Sequence, residues 1–308
     1  MTDPAARTVR AGRRRVRITN AERIVFPDVG LTKLDLARHY GDVAAVMVPH
    51  ARQRPLALQS FPRGVSGDGF FLKSVPRHFP DWIATVSVPK REGGRIQHAL
   101  ANDAAALVYL AGQNAITLHT WTSRADRLEH PDRLIFDLDP PPGRRFADVR
   151  ATARELGRLL RDIGLEPFAM TTGSRGVHVV TPLRRNRDFE AVLPFAQRVA
   201  SLLAHRNPTR LTVEHRLARR ADRIFVDVGR NAYGQHGVAP YSVRALPGAP
   251  VATPLHWDEL SDRGLRPQRW GIGNIGARLA GGGDPWASLV RHAGSLGPAS
   301  RELERHEP

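Results

Sequence analysis

In Leu134-Ile135-Phe136-Asp137-Leu138-Asp139, two carboxylates stand two residues apart in an otherwise apolar run. On a β-strand that spacing puts both on one face, about 6.6 Å apart along the chain. Carboxylates so placed can hold two metals about 3.5–4 Å apart across a substrate phosphate. A strand end whose aspartates simply face water before a proline turn has the same sequence, so Asp-x-Asp alone does not separate the two readings. In Ile224-Phe225-Val226-Asp227-Val228 a third aspartate interrupts an apolar run, where burial is costly without a partner. A metal is one such partner and an arginine is another. Between the two segments lies Thr171-Thr172-Gly173-Ser174-Arg175-Gly176-Val177-His178. A Gly-x-x-Gly turn lets backbone N–H groups and hydroxyls close on phosphate oxygens, and Arg175 and His178 add cationic donors. A short hairpin turn would have a similar sequence.

The composition narrows the chemistry. Over 308 residues, 46 Lys and Arg against 30 Asp and Glu give a net charge of +16, the signature of a polyanion partner. Only Lys33, Lys73 and Lys90 are lysines, so a codon bias toward arginine also contributes. Against that background each lysine marks a candidate site for a compact ammonium, although Lys90 in its polar turn reads as a chance survivor. The absence of cysteine excludes disulfides and thiolate zinc sites, leaving carboxylates, histidines or the ligand to hold any metal. No run approaches the length of a membrane span, and no apolar stretch follows the basic start as in a secretory signal. A cytoplasmic, nucleoid-associated protein with no membrane partner is expected.

The elements that must position these residues follow from periodicity. Five arginines between Arg10 and Arg17, with no apolar period, predict a basic disordered arm over residues 1–17. Thr32 caps a helical pattern running to Pro49. Short strands are expected at Pro55–Phe61, Gly69–Lys73 and Trp82–Val88, a helix at Asp103–Ala111 and a strand at Ile116–Trp121. Leu134–Asp139 is a strand ended by prolines, followed by an amphipathic helix from Phe146 to Ile163. Strands Pro167–Thr172 and Val177–Pro182 flank the glycine turn. A helix from Phe189 to Leu203 and strands at Leu211–Val213, Ile224–Val228 and Val238–Val243 follow, with Trp257, Trp270 and Trp286 as packing anchors. Helices and strands mix without regular βαβ alternation, so the fold class is α+β: a central, largely antiparallel sheet flanked by helices. One domain is drawn over 18–290, with a mobile tail over 291–308.

Four motifs in order carry a resemblance. Phe136-Asp137-Leu138-Asp139-Pro140, the Thr-Gly-Ser-Arg-Gly-Val-His turn, Asp222-Arg223-Ile224-Phe225-Val226-Asp227 and Val238-Ala239-Pro240-Tyr241-Ser242-Val243-Arg244 together resemble the polymerase domain of bacterial DNA ligase D. That family belongs to the archaeo-eukaryotic primase superfamily, and the likeness spans nearly all of residues 18–290. The resemblance implies that Asp137, Asp139 and Asp227 are catalytic and ligate two Mn²⁺ or Mg²⁺ ions. It implies that His119 and His178 approach the incoming nucleoside triphosphate. Thr172, Arg175 and Arg244 would bind its phosphates, with Arg220 nearby on a mobile loop. Arg23 and Lys33 would hold a DNA 5′-phosphate, and Phe70 and Phe71 would stack on template bases. Strand alternation predicts that one of these two rings is core and the other exposed. The family commonly has lysine at positions 23 and 175 and serine at 172, where this chain has Arg23, Arg175 and Thr172; each keeps a donor or hydroxyl.

The function so implied is nucleotide addition at primed, gapped or broken DNA ends in non-homologous end joining, with ribonucleotides preferred. Its partners would be double-stranded DNA ends, gapped DNA, a Ku-type end-binding protein and a DNA ligase. No ligase or nuclease domain fits in this length, so a stand-alone enzyme or an excised domain is expected. Three rivals are a DNA-end binding module with weak or no catalysis, a primase that needs no primer, and a structural basic protein with no catalysis, which leaves the three aspartates unexplained.

Overall fold

The computed structural model describes residues 6–307, and within them the chain divides into two compact units. One unit takes the chain up to Trp121 and adds 238–252 and 270–283; the other takes 122–237, 253–269 and the chain from Asp284 onward. Local periodicity predicts the elements but not which distant strand completes which sheet, and here the chain passes from one unit to the other several times.

In the first unit the expected basic arm is a hairpin, Arg7–Ala11 paired antiparallel with Arg14–Ile18. The correction has a physical cause. Ala11, Val16 and Ile18 alternate between the arginines and are buried, so the segment has a period-2 apolar face that the charge obscures. Residues 1–5 lie outside the described residues. Thr32 caps helix Lys33–Asp42: its hydroxyl accepts from the Asp35 N–H at 3.2 Å while the Asp35 carboxylate accepts from the Thr32 N–H at 2.9 Å. The pattern breaks at Val43 and resumes as helix Ala44–Ala51. A four-stranded sheet has the order Gly237–Val238, Ala115–Thr120, Leu56–Ser60, Phe70–Leu72. A strand missed in sequence, Arg95–Ala99, pairs with Thr85–Pro89. Beyond Val238 the expected strand to Val243 is loop, with an isolated bridge between Val243 and Val251.

The second unit is built on a six-stranded sheet. Its order is Leu211–Thr212, Ile224–Asp227, Arg133–Asp139, Val177–Pro182, Phe168–Thr171, Thr253–Leu255. Every pairing is antiparallel except the parallel Leu211–Thr212 with Ile224–Asp227. Leu134, Phe136 and Leu138 point into the core at 0 % exposure, so the alternate residues Ile135, Asp137 and Asp139 share the opposite face. Helices Phe146–Asp162 and Phe189–Arg206 pack on this sheet through Val149, Ala153, Leu156 and Leu160, and through Ala196, Val199 and Ala200. Trp286 is buried and donates its indole N–H to the Ala169 carbonyl at 3.0 Å, an anchor as expected. Within the expected mobile tail, Leu296–Glu304 is a helix that buries Leu296, Ala299 and Leu303, and Glu307 pairs with Arg198 at 2.7 Å. The helix's apolar i, i+3, i+7 pattern is set among glycine and charged residues, which mask it in the sequence. Among the described residues no helix is long and apolar enough to cross a membrane.

Candidate active site

In the second unit, strand register gathers the carboxylates. Asp137 lies directly opposite Asp227 on one neighbouring strand and His178 on the other. The four side chains Asp137, Asp139, His178 and Asp227 therefore occupy one sheet face. His178 is buried, with its Nε2 3.4 Å from Asp137 Oδ2. Asp227 Oδ1 accepts the Gly229 N–H at 2.8 Å, which fixes that carboxylate's rotation and leaves Oδ2 facing Arg230 at 3.9 Å. Arg230 also approaches Asp137 Oδ2 at 3.7 Å. Asp139 is flanked by Arg175 at 3.5 Å and Arg220 at 3.8 Å. These are charge contacts longer than hydrogen bonds. Burial, then the negative charge of Asp137, pushes the Asp139 carboxyl above the usual range, and Asp227 adds to this; Arg175 and Arg220 oppose it. Among the described residues, no group of three or more histidine, aspartate or glutamate side chains is arranged so that it could hold a metal ion. The three carboxylates share a face and repel one another without closing on one point.

The glycine turn docks beside them. Gly173 takes φ +65°, and a Cβ at Gly176 would collide with the Leu138 carbonyl oxygen of the aspartate strand. Only glycine lets the turn lie this close to Asp137 and Asp139. Thr172 is buried, and its hydroxyl accepts from the Ser174 and Gly176 N–H groups at 3.3 Å each while donating to the Gly176 carbonyl at 3.2 Å. Its hydroxyl thus braces the turn, and Arg175 presents its half-exposed guanidinium at the tip. Arg220, expected on a mobile loop, is held in place. It ends the short helix Leu217–Arg220, donates to the Glu214 and His215 carbonyls, and lies 3.7 Å over the Phe225 ring.

Two residues of this site were missed in sequence. Arg230 reaches both Asp137 and Asp227, and fully buried Asn231 donates to the Ile135 and Val228 carbonyls and accepts the Ile135 N–H at 2.8 Å. Asn231 stitches the segment after Asp227 to the aspartate strand. The available signal was the Gly-Arg-Asn sequence two residues beyond Asp227, which reads as an ordinary turn in isolation.

The other candidates lie in the first unit. His119, on the strand Ala115–Thr120, is half-buried, with its ring centroid 5.4 Å from that of Phe71. Phe70 and Phe71 are both about half exposed, at 51 % and 49 %, so the expected division into one core ring and one surface ring fails. Their strand is three residues long and lies at a sheet edge, where neither face is fully covered. Arg23 donates to Asn114 Oδ1, and the Arg23 carbonyl accepts the Lys33 N–H at 2.8 Å. Lys33, the first residue of its helix, is 3 % exposed, so its ammonium is more enclosed than an open phosphate contact requires. Arg244 follows a loop tied by the Tyr40 hydroxyl, which donates to the Ile116 carbonyl at 2.6 Å and lies 3.1 Å from Ser242 Oγ. Ser242 Oγ in turn accepts the Leu118 N–H at 2.8 Å. Tyr40 and Ser242 thereby fix the strand carrying His119 and the segment carrying Arg244, a network that sequence periodicity does not show. Tyr241 between them holds φ +66°, rare for a bulky residue.

Comparison with known proteins adds independent findings. The family model described as LigD, primase-polymerase domain, matches residues 32–286, so the hairpin Arg7–Ile18 precedes the matched span. The multifunctional non-homologous end joining DNA repair protein LigD of Mycobacterium tuberculosis (strain ATCC 25618 / H37Rv) is 33% identical over 304 residues, covering 96% of this chain and 39% of that protein. The multifunctional non-homologous end joining protein LigD of Pseudomonas aeruginosa is 33% identical over 288 residues, covering 93% of this chain and 34% of that protein. The chain thus spans well under half the length of these curated relatives. Among solved structures, the polymerase domain from Mycobacterium tuberculosis ligase D in complex with DNA matches with a TM-score of 0.85 and 33% identity. The match covers 91% of this chain and 99% of that one.

Proposed function

Because the chain belongs to the LigD primase-polymerase domain family, we propose that it is a nucleotidyltransferase that adds nucleotides to the 3′ end of DNA at gaps and breaks, in non-homologous end joining. The observation that carries this reading is the register of Asp137 opposite Asp227 with Asp139 on the same sheet face. Three carboxylates that repel one another across a half-buried face have the donor chemistry for divalent cations, and Asp137, Asp139 and Asp227 would be the ligands once their side chains, which do not close on one point here, turn toward a common ion. When bound there, Mn²⁺ or Mg²⁺ supplies positive charge that favours ionisation of the 3′-hydroxyl and stabilises the phosphate oxygens. The protein's own groups orient and bind. Arg175 and Arg220 flank Asp139 as cations for the triphosphate, and Gly176 lets the turn approach. Arg230 offsets the charge of Asp137 and Asp227, and His178, beside Asp137, approaches the incoming nucleotide. No side-chain nucleophile takes part.

In the same reading His119 and Arg244 address the nucleotide, Thr172 shapes the turn that carries Arg175, and Arg23 receives a DNA 5′-phosphate, with Lys33 contributing once its enclosed ammonium turns outward. Ribonucleotides are the preferred substrates. A Ku-type end-binding protein and a DNA ligase are the partners, and the protein acts on DNA in the cytoplasm. The test is extension of a primer across a one-nucleotide gap with Mn²⁺ and labelled nucleotide, beside Asp227→Ala. The proposal requires extension that the variant loses while still binding the gapped duplex. DNA binding with no extension by the parent chain would assign a binding module instead. Synthesis on an unprimed circle would assign a primase.

A further inference from the structure

The hairpin Arg7–Ala11/Arg14–Ile18 has two unlike faces. Inward, Ala11, Val16 and Ile18 are at most 4 % exposed, and a Cβ at Gly112 would press on Ile18 Cδ1, so the hairpin is seated on helix Ala104–Gly112. Arg14 stacks 4.8 Å over the Trp82 ring, and Arg7 pairs with Glu22 at 3.3 Å. Outward stand Thr8, Arg10, Arg15 and Arg17, with Arg13 at the turn, all exposed. Arg10 lies directly opposite Arg15, a like-charge cross-strand pair that costs stability. Among the described residues none of Arg10, Arg13, Arg15 and Arg17 pairs its side chain with a carboxylate or a hydrogen-bond acceptor. Four exposed arginines on one face, without a counter-charge among the described residues, form a concentrated positive surface.

We propose that this face is a phosphate-backbone contact for duplex DNA, separate from the nucleotide and 5′-phosphate sites. Planar guanidinium forks match phosphate oxygens, and each neutralised phosphate releases counterions. The outward face carries no aromatic ring on which an unstacked base could rest and no apolar anchor for a membrane, so the intact double strand is the polyanion it fits. In sequence the hairpin leads directly into Asn20–Arg23, the segment that carries one of the residues assigned to the 5′-phosphate. The inference rests on the DNA-directed reading above and adds an anchoring surface to it.

The experiment measures binding of the full chain to a 30-base-pair duplex across a salt series. The parent is compared with a variant carrying Arg10→Ser, Arg13→Ser, Arg15→Ser and Arg17→Ser, and with one carrying lysine at the same four positions. The serine variant loses about 2 to 4 from the slope of log affinity against log salt, at about 0.9 per phosphate contact, and the lysine variant keeps the slope. The serine variant's melting temperature does not fall, because the Arg10–Arg15 repulsion is relieved, and its extension rate at saturating gapped DNA stays unchanged. An unchanged slope in the serine variant, beside a steep parent slope, overturns the hairpin proposal and leaves the DNA reading standing. A parent that shows no salt-dependent duplex binding overturns both. An equal slope change on single-stranded DNA also overturns the duplex assignment.

Discussion

The strands Arg133–Asp139 and Phe70–Leu72 each carry a pair of candidate side chains, one pair separated by a residue and the other adjacent. The first strand lies inside a six-stranded sheet, paired on both sides; the second is three residues long at the edge of a four-stranded sheet. In the interior strand, ladders on both sides lock the pleat, and alternation assigns every side chain to a face: Leu134, Phe136 and Leu138 inward, Asp137 and Asp139 outward. At the edge, only one ladder holds the strand, and both phenylalanines stay half exposed. Alternation therefore predicts side-chain fate only where two neighbours and a covering layer enforce it.

The largest effect should come from the interior strand. Asp139→Asn should lower nucleotide addition by at least about a hundred- to a thousandfold, the loss typical of removing one preorganised electrostatic group from a reacting centre. It should not lower the melting temperature, because it relieves a carboxyl already held above its usual range by burial and by Asp137. Extension assays beside calorimetry check both, and a variant that melts early would show that Asp139 is structural.

The unit containing the edge strand should be the acid-sensitive one. His39 is fully enclosed, with Nε2 3.3 Å from the Tyr241 carbonyl, and burial holds its pKa down at about 4. The folded pKa lies below the ordinary value of 6.5, so the unfolded chain takes up the proton first as the pH falls. The contribution is complete above about pH 6.5 and is lost progressively toward pH 4, the total loss being about 3 kcal/mol. Urea melts at pH 7 and pH 4.5 should show this loss, and His39→Gln should flatten it.

Two glycines sharpen the comparison further. An alanine Cβ at Gly176 meets the Leu138 carbonyl of a strand fixed on both sides, whereas one at Gly69 meets the Phe61 ring next to the edge strand. Gly176→Ala should therefore cost stability at the upper end of about 1–3 kcal/mol, together with extension activity, and Gly69→Ala less, because a ring can turn aside. Equal melting shifts would show that the interior strand yields as easily as the edge.

The smallest stability effect belongs to the aromatic pair. Phe70→Ala and Phe71→Ala should each change folding by less than about 1 kcal/mol, since neither ring is core. If one ring stacks on a template base, its truncation should weaken binding to templated ends by about 1–3 kcal/mol. Phe71, tilted against His119, is the ring for which the larger loss is expected, read by fluorescence titration on gapped DNA.

Sequence alone carried the chemistry of this protein wherever it depends on neighbours along the chain. The strand bearing Asp137 and Asp139, the cap at Thr32, the helix from Phe146 and the glycine turn all follow from two- or 3.6-residue periods and from backbone rules that act within a few residues. The basic hairpin lay within the same reach, yet its three small and branched apolar residues were outweighed by arginine. Tertiary structure decided what depends on partners far away in sequence. It set Asp227 opposite Asp137, aimed Arg230 at both, drew Asn231 onto the Ile135 backbone and joined Tyr40 to Ser242 across 202 positions. A period states which face a side chain shares with its own strand or helix. Only the closing of the sheet and the burial of its polar groups states which other residue it will meet there.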